Sequence, residues 1–249
     1  MQKTLTIVAA ALAFGIAGTA YATPSTQIWI PSTDIQAFGV VHFGADTYNS
    51  VTKEPSATTG NTINYGLTAG IVPHDDKFGV EVGVDYRDMG MGGSRNPWYF
   101  NLKAGIKEGS FGGMTPSLAV GGYDFGTKSS TASATDFRTD SNILYAMAAK
   151  TFGPAGRISL GYFSGNGKVL VDDTGKADNT GLLASWDKAL NGKWWAAVDY
   201  QGGKSSYGAL SFGVAYTISP DSSFIFGYNI YNNGKLHDPT FEFNYDVNF

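Results

Sequence analysis

Charged side chains recur at alternate positions in several otherwise apolar stretches of this sequence. In the stretch 78–88, Glu81, Asp85 and Arg87 alternate with valines and a tyrosine. Successive side chains on a β-strand point to opposite faces, so these three would share one polar face. The residues that this pattern predicts to line a pore are Asp46, Glu81, Asp85, Arg87, Lys103, Asp199 and Glu242.

The predicted inward charges are close to balance, which argues against strong selection for either sign of ion. One hairpin register places Asp85 opposite Asn101, and Lys103 is then diagonal to both Asp85 and Glu81 within side-chain reach. Such a group could be the charged constriction of a channel or an ionic ladder that stiffens a closed interior. The inward set comprises the acids Asp46, Glu81, Asp85, Asp187, Asp199, Glu242 and Asp246 and the bases Arg87, Lys103, Lys107, Lys150, Arg157 and Lys193.

A pairing of the first strand with the last would bring further titratable groups together. The plausible register sets Asp46 near Glu242 and His42 near Asp246. Two facing carboxylates could hold a cation or share a proton, or could simply face water. His42 is the only one of three histidines predicted on a strand, and no nearby serine has the pattern of an activated nucleophile. The sequence therefore predicts neither a catalytic residue nor a metal site.

Twelve stretches with the two-residue period of a strand must position these side chains. Asn191-Gly192, between the eighth and ninth of them, is a strong hairpin dipeptide. The predicted strands cover 37–48, 62–72, 78–88, 98–107, 114–125, 142–152, 157–164, 180–188, 193–201, 209–218, 223–231 and 239–249.

The last of these stretches carries the most specific signal. Large apolar residues alternate there with polar ones, and the chain ends on an aromatic residue: Phe241, Phe243, Tyr245, Val247 and Phe249. This pattern resembles the C-terminal insertion signal of bacterial outer-membrane β-barrels. The resemblance implies outer-membrane lipid and lipopolysaccharide as surroundings, and recognition by the outer-membrane assembly machinery through Tyr245, Val247 and Phe249.

The fold class predicted is all-β, a transmembrane antiparallel up-and-down barrel of about 12 strands (10–14). In hydrocarbon every backbone polar group must be paired, so the sheet has to close. Aromatic residues on the predicted outward face fall near the strand ends, as in the two interfacial girdles of membrane barrels. They are Trp186, Trp194, Tyr216, Phe224 and Phe249 at the end with short turns, and Tyr86, Trp98, Tyr200 and Phe241 at the end with long loops.

Residues 1–22 have the pattern of a secretory signal peptide. Lys3 precedes an apolar run, and Ala20-Tyr21-Ala22 fits the A-x-A cleavage pattern. Residues 23–36 are rich in Ser, Thr and Pro around one apolar group, residues 28–30. They are predicted to form a periplasmic or lumen-lying lead-in, and residues 37–249 the barrel.

Composition excludes several classes of function. The chain of 249 residues has no cysteine, so disulfides, thiolate chemistry and cysteine-ligated metals are ruled out. Its net charge is −4, and −5 without Lys3, whereas nucleic-acid binding calls for a basic patch. The sequence contains no phosphate loop, zinc-ligand spacing or dinucleotide fingerprint, so no cofactor is predicted.

The function predicted is that of a porin-like channel for passive passage of small solutes with weak charge selectivity. Glycines on the inward face favour an open lumen, namely Gly66, Gly70, Gly83, Gly105, Gly213 and Gly227. The alternative is a non-conducting structural or surface-interaction barrel that acts through its extracellular loops. A lipid-facing enzyme is disfavoured, because His42 is the only candidate base on a strand.

Overall fold

The computed structural model describes residues 25–52, 61–72, 77–89, 96–131 and 137–249. The predicted signal peptide, residues 1–22, lies outside these ranges, and so does His74. Within them, no helix is both long enough and apolar enough to span a membrane.

Twelve antiparallel strands form one closed barrel, which confirms the predicted fold class. Each strand pairs with its neighbours in sequence, and the first pairs with the last. The strands are β1 (Val41–Ser50), β2 (Thr62–Gly70), β3 (Phe78–Asp88), β4 (Trp98–Ile106), β5 (Ser117–Gly126), β6 (Asp140–Thr151), β7 (Arg157–Ser164), β8 (Thr180–Ala189), β9 (Trp194–Gln201), β10 (Ala209–Ser219), β11 (Ser222–Tyr231) and β12 (Thr240–Asn248).

The outer surface of the barrel is a band of exposed apolar side chains. Leu160 and Leu182, near the middle of β7 and β8, are each 63% exposed. Aromatic rings pack in pairs at the strand ends, with Trp194 against Tyr216 at 4.9 Å and Tyr86 against Trp98 at 5.2 Å. A closed sheet with an apolar exterior and aromatic ends has the surface that a lipid bilayer requires.

The β6 strand has the opposite orientation from the one predicted. Ile143, Tyr145 and Met147 are buried inside the barrel, and Lys150 lies on the other face, 2.9 Å from Glu108 of the β4–β5 connection. Both faces of this strand are largely apolar, so alternation alone does not distinguish the inward face. Lys193 is also wrongly placed, because it lies in an exposed turn before β9, whereas Lys107 directly follows β4 and borders a cavity inside the barrel.

The predicted register between β3 and β4 is wrong by two residues. Asp85 pairs with Tyr99 instead of Asn101, and Glu81 is directly opposite Lys103. A shift of two residues keeps every side chain on its predicted face, so the alternation could fix the faces but not the register.

The β1–β12 closure also departs from the predicted register. Asp46 pairs with Asn244 and not with Glu242, which faces Tyr48. The two carboxylates therefore do not form the facing pair that would hold a cation. His42 does reach Asp246, with Nε2 and Oδ1 3.2 Å apart.

Residues 25–38, called here the lumen segment, lie inside the barrel. Ile28 packs in a buried cluster with side chains of β9, β10 and β11: Trp195, Ala197, Ala215 and Ile225. Ile30 packs in a second cluster with β6, β7, β8 and the loop that follows β7: Ile143, Tyr145, Met147, Phe163, Leu170 and Leu183. The apolar inward face of β6 is explained by this contact, since the segment gives the barrel a hydrophobic core along the wall from β6 to β11.

Candidate solute pathway

Asp199 fixes the turn of the lumen segment. Its Oδ2 accepts hydrogen bonds from the backbone N–H groups of Ile28, at 2.8 Å, and Trp29, at 2.9 Å. Asp199 is 1% exposed. A buried carboxylate that accepts two backbone N–H groups forms charge-assisted bonds, which are among the stronger hydrogen bonds in proteins. This predicted pore-lining residue therefore anchors the segment and does not face solvent.

Glu81 and Lys103 form a buried layer with the segment. Lys103 Nζ lies 3.1 Å from Glu81 Oε1 and donates to the carbonyl oxygen of Ser25 at 3.2 Å. Glu81 in turn accepts from Ser25 Oγ at 2.7 Å and from the backbone N–H of Gln36 at 2.6 Å. Both charged residues are 2% exposed. The ion pair and the segment together close the lumen at this level.

A second ionic contact holds the segment near the short turns. Arg157 Nη1 lies 2.7 Å from Asp34 Oδ1, and Arg157 Nε lies 2.9 Å from Asp187 Oδ1. Gln27 Nε2 also donates to Asp187 Oδ1, at 3.2 Å. Two points of the segment, Gln27 and Asp34, are thus tied to neighbouring strands β7 and β8.

Inward glycines make room for the segment. A Cβ at Gly227 would lie 2.8 Å from Ile28 Cγ2, and one at Gly213 would lie 2.9 Å from Ile28 Cδ1. A Cβ at Gly70 would lie 2.1 Å from the carbonyl oxygen of Ala37. The space that these glycines were predicted to leave for a solute is therefore occupied by the chain itself.

In the described part of the chain, a cavity lies on each side of the buried layer. The loop-side cavity has a volume of about 330 Å³ and lies along the wall formed by β1 to β5. The turn-side cavity has a volume of about 200 Å³ and is bordered by Thr33, Gln36, Ser117 and Arg157 among others. Both are bounded by the lumen segment, which therefore forms the partition between them.

Four predicted pore residues line the loop-side cavity: Asp46, Asp85, Arg87 and Lys103. Glu81 lies beneath its floor. Glu242 is fully buried and accepts from Asn229 Nδ2 at 2.9 Å and Asn244 Nδ2 at 2.7 Å. The structure thus brings part of the predicted set to one cavity and gives Glu81, Asp199 and Glu242 internal partners.

Arg87 is neutralised by an acid that the sequence pattern did not identify. Its Nη1 and Nη2 donate to the two oxygens of Asp124 at 3.0 and 2.8 Å. Asp124 would point outward by strict alternation in β5, but its φ of 55° and the register shift between Tyr123 and Phe125 turn it inward. Bulges redirect side chains in this way. In the sequence, the irregular alternation of residues 114–125 was the only indication of this bulge.

The two other carboxylates of the cavity have amide partners. Asn64 Nδ2 lies 3.3 Å from Asp46 Oδ2 and 3.2 Å from Asp85 Oδ1, so one amide bridges both acids. Asn101 Nδ2 donates to Asp85 Oδ2 at 2.8 Å. Among the described residues, no lysine or arginine lies within ion-pair distance of Asp46 or Asp85.

Aromatic side chains form one corner of the same cavity. The ring centroid of Trp29 lies 5.6 Å from those of both Tyr48 and Tyr231, at interplanar angles of 89° and 90°. His237, in the loop between β11 and β12, packs on Tyr231 at 4.9 Å. Burial lowers the pKa of His237, so its ring is neutral at neutral pH. None of these four residues was selected from the sequence as a site residue, because the predicted site residues were all charged side chains on the inward faces of strands.

The histidine predicted on a strand is held by neighbours within the barrel wall. His42 Nδ1 lies 2.9 Å from Asn248 Oδ1, and Nε2 contacts Asp246. Both ring nitrogens are thus engaged, and neither contacts a serine or threonine hydroxyl. In the part of the chain that the structure describes, no group of three or more His, Asp or Glu side chains is placed to hold a metal ion.

Solved outer-membrane channels share this architecture. An outer-membrane channel from Pseudomonas putida F1 matches with a TM-score of 0.53 and 8% identity, over 86% of this chain and 97% of that one. The KdgM porin matches with a TM-score of 0.50 and 9% identity, over 84% of this chain and 98% of that one. No protein-family model and no curated protein matches the sequence. Together with the apolar exterior, the fold is that of a porin-like barrel of the bacterial outer membrane.

Proposed function

We propose that this barrel is an outer-membrane channel for small solutes and that the lumen segment is its constriction. The observation that carries the proposal is the pair of cavities that meet the segment from opposite sides along the β1–β5 wall. If the lumen segment only filled and stabilised the barrel, cavities large enough for water would not be expected on both sides of it. The likeness to solved channels supports the same reading at the level of the fold.

Passage requires the lumen segment to shift. The Glu81–Lys103 pair and the backbone of Ser25 close the lumen in this state. Toward β6–β11 the segment is packed by Ile28 and Ile30 in addition to its polar contacts, whereas toward β1–β5 it is held mainly by polar contacts to Glu81, Lys103 and Ser117. The polar side therefore opens at lower cost, and we place the solute path there.

The channel has weak charge selectivity, and its direction is toward cations. In the loop-side cavity Arg87 is paired with Asp124 and Lys103 with Glu81, while Asp46 and Asp85 have amide partners and, among the described residues, no lysine or arginine within ion-pair distance. Unpaired carboxylates along a pore favour entry of cations.

The direct test is conductance of the refolded mature chain in a planar bilayer, with a salt gradient to obtain ion selectivity. The proposal expects discrete steps of small conductance and a reversal potential that favours K⁺ over Cl⁻. A folded, heat-modifiable barrel without steps would contradict it.

The alternative is a non-conducting barrel that acts through its extracellular loops. One observation favours it, namely that the lumen segment completes a hydrophobic core inside the barrel. The loops after β7 and β11 are also joined, since Lys235 Nζ lies 2.6 Å from Asp173 Oδ2. This contact lowers the pKa of Asp173 and gives those two loops a common surface. Absence of conductance in the bilayer experiment would leave this alternative as the function to pursue.

We also propose that residues 1–22 are removed as a signal peptide and that the C-terminal residues Tyr245, Val247 and Phe249 address the outer-membrane assembly machinery. Phe249 pairs with Val41 of β1 through two backbone hydrogen bonds, of 2.8 and 3.1 Å, at the seam where the barrel closes. A C-terminal signal at the closing seam is available to the machinery until β1 and β12 pair. Deletion of Phe249 is expected to leave unassembled chain in the periplasm.

A further inference from the structure

The loop-side cavity combines two carboxyl groups that have no cationic partner among the described residues with an aromatic corner. Its volume, about 330 Å³, is at the lower end of the range of small-molecule sites. It is bordered by residues of nine strands and by the lumen segment, so a guest would be surrounded on several sides.

The acidic groups that face this cavity are not all paired with a base. Arg87 is committed to Asp124 by two hydrogen bonds, and Lys103 is committed to Glu81. His237 is neutral at neutral pH because burial lowers its pKa. Asp46 and Asp85 remain, joined through the amide of Asn64. Two carboxyl groups of the cavity therefore have no cationic partner among the described residues, and a cation bound beside them would favour their charged form.

The aromatic corner supplies a second attraction for a cation. Trp29, Tyr48 and Tyr231 all line the cavity, and the indole is perpendicular to both phenol rings. Ring faces at right angles offer negative π-density from more than one direction. Aromatic faces combined with carboxylates are the chemistry that binds ammonium groups, including quaternary ones, which carry no N–H donor.

A buried amide at the same cavity lacks a partner. Gln201 is 1% exposed and lines the cavity, its Oε1 accepts from Tyr123, and its Nε2 has no acceptor within the described residues. An unmade hydrogen bond at a buried donor is costly, and an oxygen atom of a ligand can satisfy it.

We propose that the loop-side cavity is a binding site for a small organic cation that carries an ammonium group and an oxygen function. The ammonium lies between the aromatic corner and the carboxylates of Asp46 and Asp85. That such cations are the substrates of the channel rests on the proposed function. Their binding, in contrast, can be measured without conduction.

The test uses choline as the probe and 3,3-dimethyl-1-butanol, its uncharged carbon isostere, as the matched control ligand. Binding to the refolded mature chain in detergent is measured by isothermal titration calorimetry. Saturable binding of choline is expected, with the isostere at least about tenfold weaker, because it has neither the charge nor the cation–π attraction. Equal binding of the two compounds, or no binding of choline, would overturn the proposal.

Variants locate the site. Two variants are each expected to weaken choline binding about tenfold or more: the double variant Asp46→Asn/Asp85→Asn and the single variant Tyr48→Leu. Asp221→Asn in the exposed β10–β11 turn and Tyr200→Leu on the lipid face remove the same groups elsewhere and should leave binding unchanged. Binding that survives both cavity variants would contradict this site. Choline binding without conductance would refute the proposed channel and support the binding site. Conductance without choline binding would support the channel and refute the binding site.

Discussion

Lys103 and Glu81 are the residues on which closure of the lumen most depends. Each is almost fully buried, and each also bonds to the lumen segment. Removal of one member of a buried ion pair leaves an uncompensated charge and typically costs about 3–5 kcal/mol, whereas replacement of both by neutral groups is often nearly neutral.

Lys103→Met should therefore lower the free energy of unfolding by about 3 kcal/mol, and the double variant Glu81→Gln/Lys103→Met should recover most of this loss. The measurement is urea unfolding of the protein in lipid vesicles. A double variant as unstable as the single one would show that the pair is not coupled as the structure indicates.

Asp85 is the residue at which the proposed preference for cations can be tested most directly. A unit charge about 8 Å from the path is worth roughly 0.5 kcal/mol in water, or a factor of about two. Asp85→Asn should thus reduce the K⁺/Cl⁻ permeability ratio about twofold, as measured by reversal potentials in a salt gradient. Asp221→Asn is the control, since Asp221 lies in an exposed turn outside the lumen. An equal effect of both substitutions would point to a surface-charge effect instead.

At the scale of single elements, the two-residue period predicted the strands whose two faces differ in chemistry. In β3, Val82 and Tyr86 are exposed to the exterior and Glu81 is buried, as predicted, and in β12 Phe241 is outward and Glu242 inward. The pattern failed in β6, whose inward face is apolar because it contacts Ile30. It also failed at Asp124, where a bulge changes the parity of β5.

The register between neighbouring strands is the second feature that the alternation did not predict. A shift by two residues keeps the faces and changes every partner, so Glu81 and Lys103 could be placed on one face but not opposite each other. The long loop between β3 and β4 gives no turn chemistry that would fix the pairing. A short connection, such as residues 190–193 between β8 and β9, limits the possible registers more strongly.

The fit between β11 and the lumen segment can be tested at Gly227. A Cβ there would come within 2.8 Å of Ile28 and no closer than 3.5 Å to Glu242. Gly227→Ala should destabilise the barrel by about 1–3 kcal/mol, the usual cost of overpacking. Added to Ile28→Ala, the same change should cost much less, because its steric partner is gone.

The readout is a double-mutant cycle on the free energy of unfolding. Gly44→Ala is the control, because a Cβ at this inward glycine of β1 meets only ordinary contacts, the nearest at 3.5 Å. Additive effects of Ile28→Ala and Gly227→Ala would mean that the segment does not rest on this wall.

At the scale of the whole molecule, the exterior predicts how the barrel meets the bilayer. Leu160 projects outward from the middle of β7. Leu160→Arg should lower the stability in lipid vesicles by about 2–4 kcal/mol, the cost of arginine near the midplane of the bilayer. Met114→Arg, in the exposed β4–β5 connection, should cost much less. Equal tolerance of the two changes would contradict the membrane placement.

The overall architecture was accessible from the sequence, but the state of the lumen was not. Closure, strand number and the outward apolar band follow from local alternation and from the need to pair every backbone group. The position of residues 25–38 depends on long-range contacts, such as those of Ile28 and Trp29 with Asp199. Inward glycines opposite Ile28 would be expected both in an open pore and in one occupied by the chain, so the sequence does not distinguish the two states.

In the proposed function, residues 25–38 close the channel and must shift for conduction. Thr33 Oγ1 and Ser117 Oγ lie 2.8 Å apart, one on the segment and one on β5, and the chain has no cysteine of its own. Thr33→Cys/Ser117→Cys can therefore lock the segment to the wall through one reversible disulfide. The measurement is single-channel conductance of this variant before and after reduction, with each single-cysteine variant as a control. Silence when oxidised and steps when reduced is the result predicted. Equal conductance in both states would show that solutes pass a stationary segment, and the claim would be wrong.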